Sequence, residues 1–328
     1  MFLTLTSHPC LERTLQLPDL ISGTAHRVAS HEVKVSLGGK GLNAARVAAR
    51  FGAQVHAIAP IGHRQIAFCA ELARQNAIRA DFLAIEAEMR WCLNLVHEGG
   101  GSTEIIEDSA PLSVSCGTGL LDKWRENLPY AQLALIGGSY PPSTNPAFEL
   151  HAALLCQMAA QAGVPLIYDG YGVAFQRALR SQAPPWAIKP NLHEAELLLG
   201  RAIAAPTDER RAVRDLHSLG AKIVFLSCGS RGLYVGHPSG IEWLEAPRVE
   251  AVSSVGCGDT FVGAFAARWL ESTDLSPTRR LLDAARWGVA AASASAAQLL
   301  PAHVWPDEAA QLLPQVRPQT LEISLSSG

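Results

Sequence analysis

The sequence predicts an α/β protein, with a mostly parallel central sheet covered by helices on both faces. Three observations predict it. Short apolar runs alternate with helical patterns over most of the chain. Glycine-bearing turns recur at the ends of those runs, where α/β proteins bind ligands. Two stretches, 13–37 and 79–107, break the rhythm with strand-like segments and no helix between them, which predicts a small inserted sheet able to act as a lid.

In chain order, residues 2–6, 55–59, 133–136, 166–169, 186–188 and 223–227 read as buried strands, most of them bounded by polar, Gly or Pro residues. Helical patterns cover 42–51, 146–162, 192–199 and 208–219, with Pro146 suited to a first helical position. The interrupting stretches hold strands at 14–17, 32–37, 82–85, 91–97 and 103–107, and the turn from His97 to Ser102 closes a hairpin between the last two. Residues 261–300 are Ala-rich and helical. Residues 319–328 read as a loose tail in which 321–325 could add an edge strand.

Composition narrows the function. Hydrophobic residues make up 48% and charged residues 17%, which excludes a disordered chain. The net charge of −3 offers no basic surface for nucleic acid or an anionic membrane. No apolar run reaches the ~18–20 residues of a membrane span. The start, MFLTLTSHPC, lacks the basic and apolar regions of a signal peptide. Seven scattered cysteines without a CxxC read as reduced thiols of a cytoplasmic protein, not as a disulfide frame or zinc site.

Five turns carry the candidate chemistry. Val255-Gly256-Cys257-Gly258-Asp259 opens a long apolar helix, so backbone amides with partial positive charge would face an anion. Asp259 beside that anion would suit proton removal during phosphoryl transfer, or it merely caps the helix. Gly38-Gly39-Lys40-Gly41-Leu42-Asn43 places a cation and a carboxamide at another helix start. It is not a Walker loop, because Lys34 and Gly41 stand where that motif needs Gly and Ser or Thr. Gly138-Ser139-Tyr140-Pro141-Pro142 follows a buried strand. In Lys189-Pro190-Asn191-Leu192-His193-Glu194, the Asn and Glu three apart either share a functional face or form a capping box. Ser227-Cys228-Gly229-Ser230-Arg231-Gly232 alone is only a turn. Together the five point to one phosphate-handling cleft.

In this order, GGKGLNAARVAARFG, GSYPP, KPNLHE, SCGSRG and VGCGDTFVGAF resemble the ribokinase-like (PfkB) carbohydrate kinases. The opening LTLTSHPCLERTL and the segment from Arg90 to Ile105 resemble the 1-phosphofructokinase and tagatose-6-phosphate kinase branch. The resemblance implies a ribokinase-like three-layer α/β/α domain formed by 1–12, 38–78 and 109–328, with a β-sheet lid from 13–37 and 79–108. It implies an ATP-dependent, Mg²⁺-requiring kinase of a phosphorylated ketohexose. Asp259 would be the base and Gly256, Cys257 and Gly258 the anion hole. Glu12, Gly39, Lys40, Asn43, Arg90 and Ser139 would hold the sugar phosphate. Ser227, Gly229 and Gly232 would line the nucleotide site, with Asn191 and Glu194 organising Mg²⁺ and the phosphates. Glu12 stands where the branch usually has Asp, Cys257 where Ala or Ser is usual, and Ser143 and Ser253 also depart from it. The rivals are a kinase of an unphosphorylated sugar or nucleoside and a catalytically idle sugar-phosphate-binding regulator. A Rossmann dehydrogenase is disfavoured, since Ser-His-Pro-Cys and not a glycine fingerprint follows the first strand. No nucleic-acid or membrane partner is expected, and a homodimer could cover the exposed edges of the lid sheet.

Overall fold

The computed structural model describes residues 1–141 and 148–323. The chain opens with β1 (Phe2–Leu5), β2 (Cys10–Leu17), β3 (Lys34–Gly38) and α1 (Lys40–Arg50), followed by β4 (Val55–Gly62), α2 (Ile66–Gln75) and β5 (Arg79–Ile85). A hairpin of β6 (Trp91–His97) and β7 (Ser102–Ile106) precedes α3 (Val114–Asn127), β8 (Leu133–Gly137), α4 (Phe148–Gln161), β9 (Leu166–Asp169) and α5 (Val173–Leu179). Then come β10 (Ala187–Ile188), α6 (Leu192–Leu199), α7 (Pro206–Ser218), β11 (Ile223–Ser227), β12 (Gly232–His237) and β13 (Gly240–Glu245). The chain closes with α8 (Cys257–Glu271), α9 (Pro277–Ala296), α10 (Pro306–Leu312) and β14 (Pro318–Ile323).

The large sheet has ten strands in the order β14-β13-β12-β11-β10-β9-β8-β1-β4-β5. From β11 to β5 every pairing is parallel, and β12, β13 and β14 add antiparallel neighbours. Successive residues of one strand feed opposite cores: Leu133 and Leu135 join the cluster with α1, α8 and α9, while Ala134 and Ile136 join the one with α3, α4 and α7. That is why these strands read as unbroken apolar runs. The three layers and the separate four-stranded sheet, β3-β2-β6-β7, match the expected fold class.

Three expectations are corrected. The strand expected at 82–85 in the lid runs over Arg79–Ile85 and pairs parallel with β4, so it belongs to the large sheet. The cause is α2, a helix the sequence reading passed over, which makes β4-α2-β5 a crossover unit. The small sheet also begins earlier than expected, because β2 starts at Cys10 and carries Glu12. The edge strand offered at 321–325 in the tail forms as β14 but begins earlier, at Pro318, as the antiparallel edge partner of β13. Pro146 and Ser143 lie outside the described residues. All seven cysteines are free, and among the described residues no helix is long and apolar enough to cross a membrane.

Helix α8 is held from two sides. Phe261 and Phe265 stand 5.2 and 5.0 Å, centroid to centroid, from Phe225 on β11. On the other side α8 crosses α1 at Gly263, where a Cβ would lie 2.5 Å from the Ala44 carbonyl oxygen and 2.7 Å from Val47 Cβ. Only glycine permits that approach. Overpacking a tight core contact costs about 1–3 kcal/mol, so Gly263→Ala is expected to lower the unfolding free energy by that amount in urea titrations.

Candidate active site

Strand β1 pairs with β4 on one side and β8 on the other, so the strand order reverses there. Such a switch point opens a crevice at the carboxyl ends of the strands. Glycines let α1 begin at its floor: a Cβ on Gly39 would meet Thr6 Cγ2 at 2.9 Å, and one on Gly137 would meet the Gly41 nitrogen at 2.3 Å.

Asp259 sits in the first turn of α8, behind Gly256, which has a φ of 76°. The Cys257 N–H donates to Ser254 O at 3.3 Å, and among the described residues the amides of Gly258 and Asp259 have no backbone acceptor. Those two N–H groups point out of the helix end. Burial pushes the Cys257 thiol up to about 12, so its side chain stays protonated. Asp259 is itself buried and accepts a hydrogen bond from Asn43 Nδ2 at 2.9 Å. Burial first, and then the charge of Asp169, outweigh the opposing pull of Lys40, Asn43 and Lys189 and push the Asp259 carboxyl up to about 7.

The same Asn43 Nδ2 donates to Glu12 Oε1 at 3.1 Å, and Ser36 Oγ donates to Glu12 Oε2 at 3.0 Å. Glu12 is 8% exposed. Its extra methylene relative to Asp is accommodated by Gly38, where a Cβ would fall 2.3 Å from Glu12 Cδ.

The Lys40 side chain is 26% exposed. Its ammonium pairs with Asp169 Oδ1 at 2.8 Å and Glu194 Oε1 at 3.1 Å. Burial would lower its pKa, but Asp169, Glu194 and Asp259 raise it further. Asp169, at the end of β9, is also 3.3 Å from Lys189 Nζ. Burial alone would raise the Asp169 carboxyl, yet Lys189 and Lys40 hold it below the usual range. The Lys189 ammonium lies against the α8 N-terminus, since a Cβ on Gly258 would meet Nζ at 3.0 Å.

The capping box is formed: Asn191 Oδ1 accepts from the Glu194 N–H at 2.8 Å, and Glu194 Oε2 accepts from the Asn191 N–H at 3.0 Å. Both Glu194 oxygens are thus engaged. Among the described residues no three His, Cys, Asp or Glu side chains converge to cage a metal. This donor set fits Mg²⁺ only as an ion held chiefly by nucleotide phosphates and its own waters, with the carboxylates that flank Lys40 nearby.

At the other end of the crevice, Arg90 donates to His8 O at 3.1 Å and Pro9 O at 3.3 Å. Ser139 Oγ is 3.0 Å from His8 Nδ1. Burial and Arg90 push His8 down to about 4, so the ring is neutral. Asn191 bridges to Ser227 at the end of β11. Gly229, with φ 62°, has nothing within 4 Å of where a Cβ would stand, an open backbone cradle beside that bridge. Gly232 is required for another reason: a Cβ there would strike Leu244 O at 2.1 Å. The Ser102 hydroxyl at the β6–β7 turn accepts from Ser253 Oγ at 3.4 Å, so the small sheet reaches the turn before α8.

The five turns therefore share one crevice. The sequence reading missed Asp169, Arg46 and a role for Lys189. Asp169 closes a strand, and Lys189 and Arg46 stand inside segments already singled out, but pairing across 129 residues leaves no local signal.

The model of the pfkB family carbohydrate kinases matches residues 11–308. Phosphofructokinase-2 from Escherichia coli, in its tetrameric inhibited form, superposes with a TM-score of 0.83 at 26% identity, covering 96% of this chain and 98% of that one. Its complex with fructose-6-phosphate gives 0.83 at 25% identity, with the same coverage. A possible 1-phosphofructokinase from Thermotoga maritima gives 0.86 at 18% identity over 98% and 99% of the two chains, a likeness of fold.

Lys40→Met would strand Asp169 and Glu194 with one fewer cation between them. Breaking a buried pair from one side costs roughly 3–5 kcal/mol at full burial. With Lys189 still beside Asp169, the expected loss is at the lower end of that range, read as a lowered melting temperature in calorimetry.

Proposed function

The chain belongs to the pfkB family of carbohydrate kinases, and from that premise we propose that it phosphorylates a phosphorylated ketohexose, fructose 1-phosphate foremost, yielding fructose 1,6-bisphosphate. One observation carries the reading: Asp259, a buried carboxylate raised to about 7, stands in the first turn of α8 beside two amides that have no backbone acceptor among the described residues. A base whose pKa lies near the working pH transfers protons with the best compromise of population and driving force.

Asp259 takes the proton of the attacking sugar hydroxyl as the oxygen–phosphorus bond forms and the bond to the leaving ADP oxygen breaks. The Gly256-Cys257-Gly258 turn presents the amides of Gly258 and Asp259 to the moving phosphoryl group, and Lys189 adds a cation at the same helix end. ATP supplies the phosphoryl group, and Mg²⁺ neutralises its charge. Ser227, Gly229 and Gly232 shape the nucleotide cradle, while Asn191 and Glu194 fix the start of α6 beside it. Glu12 and Asn43 face the sugar hydroxyls, and Arg90 with Ser139 holds the sugar phosphate. The small sheet shields the cleft from water. Exposed Ile105 and Ile106 on its edge strand β7 support a homodimer formed through that sheet.

A kinase of an unphosphorylated sugar is the second reading. Lys40 favours it, because its ammonium is committed to Asp169 and Glu194 and leaves Arg90 as the main cation for a substrate phosphate. Turnover of fructose 1-phosphate, fructose 6-phosphate, tagatose 6-phosphate and free hexoses with ATP and Mg²⁺ separates the two.

Asp259→Asn is expected to lower kcat by about 10²–10⁴-fold, the worth of general base catalysis. In the unmodified enzyme kcat/KM should fall as pH drops through about 7, because protonated Asp259 cannot accept a proton. Arg90→Met is expected to raise KM for the phosphohexose by roughly 10–100-fold, the worth of one charge-assisted hydrogen bond. The KM of a free hexose should hardly move, and equal losses for both substrates would place Arg90 in the fold and not at the phosphate.

A further inference from the structure

Arg46 lies on α1 one turn after Asn43 and is 4% exposed. A buried guanidinium is costly unless its donors and charge are matched. Here they are. Nη2 donates to Asn43 Oδ1 at 2.7 Å and to Pro301 O at 2.9 Å, Nη1 to Leu37 O at 2.9 Å, and Nε to Ala302 O at 3.4 Å. Glu12 Oε2, 4.0 Å away, balances the charge.

The consequence lies in the Asn43 amide. A carboxamide has one accepting oxygen and one donating nitrogen. With Arg46 at one end, the oxygen must face the guanidinium. The nitrogen must then face the carboxylates of Glu12 and Asp259, one hydrogen to each. A flipped amide would set its oxygen against two carboxylates and its N–H groups against a guanidinium, so every contact would turn repulsive. The guanidinium also grips the segment on which α8 starts. A Cβ on Gly256 would meet Ala302 N at 2.7 Å and Pro301 Cβ at 3.1 Å, and Ala302 itself holds a left-handed backbone.

We propose that Arg46 is a positioning residue of the phosphoryl-transfer site, acting through the Asn43 amide to aim one N–H at Asp259 while anchoring the Pro301–Ala302 segment beneath the α8 turn. This rests on the reading of Asp259 as the base. The groups facing Asp259 are Lys40, Asn43 and Arg46 from α1, Asp169 from β9, Lys189 beyond β10 and Cys257 on its own helix. Arg46→Lys keeps the charge among these groups and removes only the planar fork. Any change in how Asp259 titrates then reports the freed amide and not a lost cation.

The test uses the full chain, ATP, Mg²⁺ and whichever acceptor the unmodified enzyme turns over fastest. Arg46→Lys is expected to lower kcat by about 10–100-fold, the scale of one charge-assisted hydrogen bond, with little change in KM for ATP. The acid limb of the pH profile should move to higher pH, because Asp259 loses a donor that favours its ionised form. Added to Asn43→Ala, the same change should cost clearly less than in the unmodified enzyme, since the amide through which it acts is gone and only the hold on Pro301–Ala302 is left to lose. An unmoved acid limb, or equal losses in both backgrounds, would overturn the proposal. Should Arg46→Lys not fold, Asn43→Asp decides: it places an oxygen where the flipped amide would, yet leaves Arg46 paired. Near-normal kcat in that variant would overturn the proposal too. If Asp259→Asn stays active, the base assignment itself fails, and that result is distinct from an indifferent Arg46→Lys beside an inactive Asp259→Asn.

Discussion

The close crossing of α1 and α8 is the contact on which the site depends. Asn43 comes from one helix and Asp259 from the other, and they meet at 2.9 Å because Gly263, one turn beyond Asp259, lets α8 lie against the Ala44 carbonyl. Both helices start at the carboxyl edge of the large sheet, so their amino-terminal ends point into the same crevice. Helix ends of that polarity attract anions. Phe225, packed edge-on against Phe261 and Phe265, prevents α8 from sliding along the sheet.

Charge is balanced across this crevice more tightly than its glycine turns suggest. Asp169, Glu194 and Asp259 face Lys40 and Lys189, and the balance is uneven by position. Asp169 touches both lysines and is held ionised. Among the described residues Asp259 forms no ion pair with either, accepts from the Asn43 amide, and carries the raised carboxyl. Two carboxylates in one cleft thus take different protonation behaviour from their immediate partners, a pattern suited to dividing a structural charge from a proton acceptor.

The small sheet joins this arrangement from above. Glu12 on β2 enters the Asn43 network, and Ser102 in the hairpin reaches Ser253 just before α8. A shift of the sheet would therefore be felt at Asn43 and at the α8 turn together.

The sequence alone determined the layer architecture, because strands buried on both faces must be continuously apolar and the helices between them periodic. It also determined that the glycine turns gather at one cleft, because parallel strands place their carboxyl ends on the same side. The edges were harder to read. β5 looked like part of the inserted sheet until α2 carried it back beside β4, and β14 had no local sign of its partner β13. The tertiary structure decided the partners of each side chain. Lys40, legible as a cation at a helix start, pairs with Asp169, and Glu194 serves the capping box and Lys40 at once. Arg46 carries no local sign of its partners, since Pro301 and Ala302 lie 255 and 256 residues away. The physical reason is range: patterning and turn chemistry act over a few residues. Hydrogen bonds such as Asn43 to Asp259 join positions 216 residues apart, and only packing brings them together.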